Sequence, residues 1–229
     1  MKKMKQNNNR TENKNQQNIS NYQNSSRNKS LETFINMNFI MNIFQACNSQ
    51  KSRKKVSEKA IKMMRKLGHI IVQPGEFAIK YDYSAPYHLF LTRIENSKET
   101  YKQEFSITFP EILDCSLGEI VYSLHLNFIV DVEWLCWQYL LAGQCTDMTI
   151  LYGDKAYYQT LFNNITVIKV NIKTGFGCHH TKIMILQYKD DGIRVIVSTA
   201  NLRSTDWENV TQGFAKYSLT FSVVSDVCL

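Results

Sequence analysis

Two short apolar runs on either side of a polar turn limit what this chain can fold into more than any other feature. The runs, residues 182–188 and 193–199, are too short to favour helices, and the second is rich in β-branched side chains. The Asp-Asp-Gly sequence at residues 190–192 tolerates the positive φ angles of a tight connection. The segment 175–201 is therefore predicted to be a β-hairpin.

The hairpin predicts that polar side chains from its two ends converge. Side chains alternate between the faces of a strand, so His180 and Lys182 point the same way. If Tyr188 pairs with Ile193, then His180 lies opposite Asn201, with Cβ atoms about 5 Å apart. A one-residue slip in register would break this arrangement, because it moves each side chain to the other face.

An imidazole, an ammonium group and a carboxamide in one place suit an anionic phosphorus centre. A neutral histidine attacks phosphorus, while lysine and asparagine donate hydrogen bonds to oxygens whose negative charge grows in the transition state. The alternative is a chance His-x-Lys spacing on a structural strand. Zinc is another alternative at Cys178, His179 and His180, but three consecutive residues of a strand cannot all face one ion.

One segment resembles the first half-site of the tyrosyl-DNA phosphodiesterase family, a branch of the phospholipase D superfamily: GFGCHHTKIMILQYKDDGIRVIVSTANLRSTDWENVTQG, from Gly175. The similarity continues upstream in LNFIVDVEWLCWQY at 126–139, LYGDK at 151–155 and PYHLFLTRI at 86–94. It fades after Gly213. Gln187 stands where the wider superfamily has an aspartate, and this departure is typical of the branch.

The resemblance implies a role for each of three residues. His180 would be the nucleophile and would form a transient phosphohistidine. Lys182 and Asn201 would hold the phosphoryl oxygens. The resemblance also implies that the reaction needs no metal and no cofactor.

Three further residues are implied to bind the substrate. Phe176 matches an aromatic residue that stacks on DNA, with a position in the core as the alternative. Phe128 stands where the family usually has a tyrosine on the leaving-group side. Gln212 matches a residue that orients a second histidine.

The family builds its active centre from two half-sites, and the histidine of the second protonates the leaving oxygen. No histidine follows His180 in this sequence. We therefore expect the truncated first half of a DNA-repair phosphodiesterase that hydrolyses 3′-phosphotyrosyl and other 3′-blocked DNA ends. The alternative is a non-catalytic half-domain, a pseudoenzyme that binds DNA ends or a protein partner. A lipid phosphodiesterase is a third option.

The implied partners are single-stranded or nicked DNA 3′ ends that carry a topoisomerase-derived peptide adduct. A second copy of the chain is another partner if two subunits rebuild the site. No membrane partner is expected, because no apolar run is long enough to cross a bilayer. The implied location is the nucleus, with the cytoplasm or the mitochondrion as alternatives.

The order of predicted strands and helices indicates the fold class. Strands are predicted at residues 88–94, 124–130, 148–152 and 165–170 in addition to the hairpin, and helices at 106–123 and 132–141. Strands that alternate with helices indicate an α/β fold. We expect a mixed β-sheet flanked by helices on both faces, phospholipase D-like, as the first of the two family domains.

Charge divides the chain into unequal parts. Residues 1–70 hold 15 basic and 3 acidic side chains, while the remainder holds 12 and 17, which accounts for the net charge of +7. Residues 1–30 are rich in Asn, Gln, Ser and Lys and are predicted to be a disordered tail. Residues 31–80 are predicted to be a basic linker with a short helix at 31–47, and residues 81–229 a phospholipase D-like domain with one half-site.

Overall fold

The computed structural model describes residues 50–157 and 163–219, all within one compact unit of the chain. The predicted tail at 1–30 and the predicted helix at 31–47 lie outside these residues. The helices are α1 (Gln50–Lys66), α2 (Phe77–Tyr83), α3 (Lys98–Tyr101), α4 (Phe109–Ile112), α5 (Val132–Leu141) and α6 (Ser204–Glu208). The strands are β1 (Leu89–Thr92), β2 (Ser106–Ile107), β3 (Ile120–Asp131), β4 (Asp147–Tyr157), β5 (Ile165–Lys169), β6 (Ile183–Tyr188), β7 (Ile193–Ser198) and β8 (Gly213–Leu219).

The strands of the described residues form one eight-stranded sheet in the order β2-β1-β8-β7-β6-β3-β4-β5. β3, β4 and β5 run parallel, and β1 and β2 form a second parallel pair. The remaining neighbours are antiparallel. α5 makes the crossover that the parallel strands β3 and β4 require. The predicted mixed α/β fold is therefore confirmed.

Helices cover one face of this sheet. α2 packs there through Phe77, whose ring lies 5.4 Å from that of Phe90 on β1. α5 packs through Tyr139, whose hydroxyl is 2.9 Å from Nε2 of His125 on β3. Behind α4, the fully buried Lys216 of β8 donates from Nζ to a backbone carbonyl at 2.9 Å. The core of the described unit lies between this face and these helices.

The opposite face is apolar and exposed among the residues that the structure describes. Leu89 and Leu91 on β1 are 59% and 52% exposed, Val197 on β7 is 44% exposed and Tyr217 on β8 is 49% exposed. We call this surface the open sheet face. The expectation of helices on both faces is wrong for the described residues, because α2, α4 and α5 all pack on the other side.

The basic run at residues 51–66 lies in α1, which packs against α5. Ser57, Ala60 and Ile61 are buried, and the hydroxyl of Ser57 donates to the carbonyl of Leu141 at 2.9 Å. Most of the lysine side chains point to solvent. α1 is therefore both a cover for α5 and a basic surface.

The helix predicted at 106–123 and the strand predicted at 124–130 both need correction in length. The helix predicted at 106–123 is only the four-residue α4, followed by a 3₁₀ turn at Cys115–Leu117. The chain then turns at Gly118 with φ +118°, and β3 begins at Ile120. In contrast, α5 spans the ten residues predicted for it.

Candidate active site

His180 and Lys182 lie in the segment that leads into β6, and their side chains are in contact. Lys182 Nζ is 3.0 Å from Nδ1 of His180 and 3.4 Å from Nε2. An ammonium group only donates hydrogen bonds, so in this contact the imidazole of His180 is the acceptor. Burial lowers the pKa of Lys182, against the opposing effects of Asp206 and Cys178. The pair thus joins an imidazole to an adjacent cation.

Two neighbouring strands support the His180 segment. The ring of Phe128 on β3 lies 4.4 Å from that of His180, as measured between centroids. Gly153 on β4 leaves no room for a side chain, because a Cβ atom there would overlap the carbonyl oxygen of His179 and approach the Phe128 ring to 2.9 Å. The segment therefore lies directly on the backbone of β4.

The hairpin forms as predicted, but its register differs by one residue. Gln187 pairs with Ile193, and Tyr188 donates from its amide to the carbonyl of Gly192 at 2.8 Å. Asp191, with φ +62°, takes the left-handed conformation, so the loop closes after three residues instead of four. The predicted pairing of Tyr188 with Ile193 is therefore wrong.

If both strands continued in this register, Asn201 would no longer lie opposite His180 and would point to the other face of the sheet. Lys182 lies beside Ser198, because the backbone amide of Ser198 donates to the carbonyl of Lys182 at 3.0 Å. However, β6 begins only at Ile183, and the chain bends at residues 199 and 200 after β7. The alternation of faces therefore stops before Asn201, and cross-strand pairing does not position it.

The end of β3 positions Asn201 instead. Leu202 donates from its amide to the carbonyl of Ile129 at 3.1 Å, and Asn127 donates from Nδ2 to the carbonyl of Ala200 at 3.3 Å. Ala200 and Leu202, the neighbours of Asn201, are thus held at the end of β3. Phe128 at the same end of β3 contacts His180. The structure brings the predicted trio to one end of the sheet by a route that differs from the predicted one.

Asp206 belongs to this site, and sequence analysis missed it. Its Oδ2 accepts from the backbone amide and from Nδ2 of Asn201, both at 2.9 Å, and its Oδ1 accepts from Nε of Arg203 at 2.6 Å. Burial favours the neutral acid, but the Asn201 amide and the Arg203 guanidinium outweigh burial and lower the pKa of Asp206. The signal in the sequence was an acidic residue in the first turn of a short helix just after Asn201.

The other predicted site residues lie around this centre. The ring of Phe176 is fully exposed, so the alternative of a core position is wrong. Gln212 accepts from the hydroxyl of Thr199 through Oε1, and its backbone N–H donates to Oγ1 of Thr92 at 2.7 Å. Gln187 is exposed on β6. Gln212 is thus fixed within this chain beside the bend that precedes Asn201.

Metal-binding groups of side chains and membrane-spanning helices are both absent from the described residues. Among them, no three His, Cys, Asp or Glu side chains are grouped so that they could hold a metal. None of the helices in the same residues is long and apolar enough to cross a bilayer.

Comparison with known proteins gives a consistent result. The sequence model of the family described as tyrosyl-DNA phosphodiesterase matches residues 88–222, so the resemblance extends beyond Gly213, where we expected it to fade. Tyrosyl-DNA phosphodiesterase 1 of Drosophila melanogaster is 42% identical over 149 residues, which are 63% of this chain and 26% of that protein. A probable tyrosyl-DNA phosphodiesterase of Caenorhabditis elegans is 38% identical over 109 residues, 44% of this chain and 24% of that protein.

A solved structure of the yeast tyrosyl-DNA phosphodiesterase aligns with 57% of this chain and 31% of its own, at 14% identity and a TM-score of 0.41. The chain spans about a quarter of the length of the curated relatives described above, 26% and 24%.

Proposed function

Because the chain belongs to the tyrosyl-DNA phosphodiesterase family, we propose that it supplies the nucleophile half-site of a phosphodiesterase that acts on 3′-phosphotyrosyl and other 3′-blocked DNA ends. The proposed substrate is a single-stranded or nicked DNA end with a topoisomerase-derived peptide, and the proposed location is the nucleus. The observation that carries this proposal is the 3.0 Å contact between His180 and Lys182 beside the Phe128 ring.

The first step is attack of an imidazole nitrogen of His180 on the phosphorus of the 3′-phosphodiester. The new P–N bond forms as the P–O bond to the tyrosyl oxygen breaks, and water later cleaves the phosphohistidine. Lys182 and Asn201 donate to the non-bridging oxygens, whose charge grows on the way to the transition state. Loss of one such preorganised donor typically raises the barrier by about 3 kcal/mol.

The leaving oxygen needs a proton, and the general acid must come from elsewhere. No histidine follows His180 within the 229 residues. We therefore assign the acid to a further segment of polypeptide or to a second copy of the chain. General acid catalysis typically contributes about 10²- to 10⁴-fold, so the half-site alone should react slowly. Phenols leave more readily than alkyl alcohols, so phosphotyrosyl esters are its best substrates.

Two surfaces support the proposal that DNA is the partner. The exposed ring of Phe176 precedes the nucleophile by four residues and is free to stack on a base, a contact worth roughly 1–3 kcal/mol. α1 presents exposed Lys54, Lys55 and Lys59, which suit phosphate contacts that weaken with salt.

The test is to trap the covalent intermediate. The chain is mixed with a labelled oligonucleotide that ends in 3′-phosphotyrosine and is quenched in alkaline SDS, because a phosphoramidate bond is labile to acid. We expect a labelled adduct with the natural chain and with His69→Gln, whose side chain lies outside the site. We expect none with His180→Ala. An adduct of equal yield in His180→Ala would refute the nucleophile assignment.

A non-catalytic half-domain remains the second candidate, and the open sheet face favours it. An apolar surface of this kind suits a protein partner. If this candidate is right, the chain binds the same oligonucleotide without forming an adduct at any protein concentration. An adduct whose yield per chain rises with protein concentration indicates instead a site rebuilt by two copies.

A further inference from the structure

The side-chain amide of Asn201 is held in an orientation that leaves its oxygen without a hydrogen-bond partner in the described part of the chain. Its Oδ1 atom is buried and has no hydrogen-bond partner among the described residues. A buried acceptor without a partner is costly, because it has given up its hydrogen bonds to water and gained none in return. Rotation of the amide by 180° would exchange the oxygen and the nitrogen, so some other contact must prevent that rotation.

Asp206 is that contact. An ionised carboxylate only accepts hydrogen bonds, so the atom of Asn201 that faces it has to be the nitrogen. Oδ2 of Asp206 lies 2.9 Å from Nδ2 of Asn201 and 2.9 Å from its backbone amide. The flipped amide would place Oδ1 against the carboxylate. The guanidinium of Arg203 at 2.6 Å keeps the carboxylate in place and ionised.

We propose that Asp206 is a positioning residue that fixes the orientation of the Asn201 amide and leaves its second N–H for a phosphoryl oxygen. The inference rests on the proposed function, because it is there that Asn201 becomes a phosphate ligand. Nδ2 carries two hydrogens, and Asp206 accepts only one of them. Without the carboxylate, the amide is free to turn its oxygen, which repels phosphate, towards the substrate.

The same carboxylate acts on Lys182. Asp206 raises the pKa of Lys182 and so partly offsets the effect of burial, which lowers it. One negative charge thus orients one phosphate ligand and helps to keep the other protonated. Asp206 itself needs no contact with the substrate for either effect.

The first experiment observes the amide directly. The side-chain N–H signals of Asn201 are assigned by their loss in Asn201→Ala, and hydrogen exchange is measured by NMR. We expect one of the two hydrogens to exchange slowly in the natural chain and in His69→Gln, whose side chain contacts Glu95 and not Asp206 or its partners. In Asp206→Asn both should exchange fast, or the slow signal should move. An unchanged slow signal in Asp206→Asn would overturn the proposal.

The second experiment measures binding of inorganic orthovanadate by calorimetry. We expect the dissociation constant to rise about tenfold in Asp206→Asn, the lower end of what supporting hydrogen bonds contribute at metal sites. Asp206→Glu should recover part of the loss. In an Asn201→Ala background, Asp206→Asn should raise the constant clearly less than in the natural chain, because only the effect of the carboxylate on Lys182 is then left to lose. An effect in that background as large as in the natural chain would overturn the positioning role.

The two experiments separate this inference from the proposed function. If the natural chain fails to bind orthovanadate, the phosphate site is refuted while the amide signals still decide what Asp206 does. If orthovanadate binds and the amide signals do not depend on Asp206, the phosphate site stands and the positioning role is refuted. Thermal unfolding of each variant shows whether Asp206→Asn retains the fold.

Discussion

At the scale of single residues, Gly153 shows how closely the candidate site is packed. It lies on β4, and the carbonyl oxygen of His179 occupies the place that a Cβ atom would take. We predict that Gly153→Ala shifts the segment that carries His180 and lowers the free energy of unfolding by roughly 1–3 kcal/mol, the usual cost of overpacking. Chemical denaturation and orthovanadate binding measure the two effects.

Gly175 provides the matched control for that substitution. A Cβ atom on Gly175 meets nothing within 4 Å. Gly175→Ala lies in the same connection before β6 and should leave both measurements unchanged. Equal losses in the two variants would contradict the packing argument.

His125 is a buried residue whose protonation couples stability to pH. It is fully buried, and burial lowers its pKa from 6.5 to about 3. Between pH 3 and 6.5 the unfolded chain binds a proton at this site and the folded chain does not. Stability from this residue is therefore complete above pH 6.5 and falls by about 1.4 kcal/mol for each unit of pH below it.

We predict that His125→Gln removes this contribution. The natural chain and the variant are unfolded in urea at several values between pH 4.5 and 7, and the slopes of the unfolding free energy against pH are compared. The slope of the natural chain should be steeper by about 1.4 kcal/mol per unit. Parallel slopes would mean that His125 titrates normally in the folded chain.

The sequence identified part of the site at this scale. His180 and Lys182 were found by their spacing, and the structure places them in contact. Asp206 was missed because its role depends on the route by which Asn201 leaves the hairpin, and that route depends on contacts with β3. A sequence pattern carries side-chain types and spacing, but it does not carry such long-range contacts.

At the scale of elements, strong local patterns were predicted well and loops poorly. α5 was predicted residue for residue, since an apolar helix with an aspartate cap is a purely local signal. The hairpin was also predicted, but its register depended on which loop residue takes a positive φ. Both Asp191 and Gly192 tolerate that conformation, and the sequence gives no means of choosing between them.

The packing of α1 changes an expectation about the basic N-terminal region. The sequence analysis placed residues 1–80 in a tail and a basic linker, outside the predicted domain. α1 buries Ala60 and Ile61 against the helical layer, so we now predict two different outcomes. Removal of residues 1–30 should leave the melting temperature unchanged, whereas removal of residues 1–70 should lower it by several degrees, since about 1 kcal/mol shifts it by roughly 2–8 °C.

Differential scanning calorimetry compares the two deletions. Ser57→Ala provides a smaller test of the same contact, because it removes only the hydrogen bond to the carbonyl of Leu141. Equal melting temperatures for the natural chain and the 1–70 deletion would show that α1 contributes nothing to the fold.

At the scale of the whole molecule, the open sheet face exposes apolar side chains from three neighbouring strands of the described residues. Exposed apolar side chains on neighbouring strands favour association in water. We predict that the chain self-associates as its concentration rises. The double variant Leu91→Lys and Val197→Lys should weaken this association, because it places charges in the centre of the face. Sedimentation equilibrium measures the association constant.

Ile79 gives a control for this prediction. It is 60% exposed on α2, on the other side of the sheet. Ile79→Lys adds a charge to the surface without touching the open sheet face, and it should leave association unchanged. An equal effect of Ile79→Lys would point to net charge as the cause.

The position of β8 has a consequence for synthesis on the ribosome. β8 is the last strand of the described residues, yet it lies inside the sheet and joins β1 and β2 to the other strands. Phe90 on β1 pairs with Phe214 on β8, and the ribosome adds Phe214 124 residues after Phe90. At about 5–20 residues per second this delay lasts roughly 6–25 s. During that time the apolar β1 has no antiparallel neighbour, and a chaperone has its longest opportunity to bind the nascent chain there.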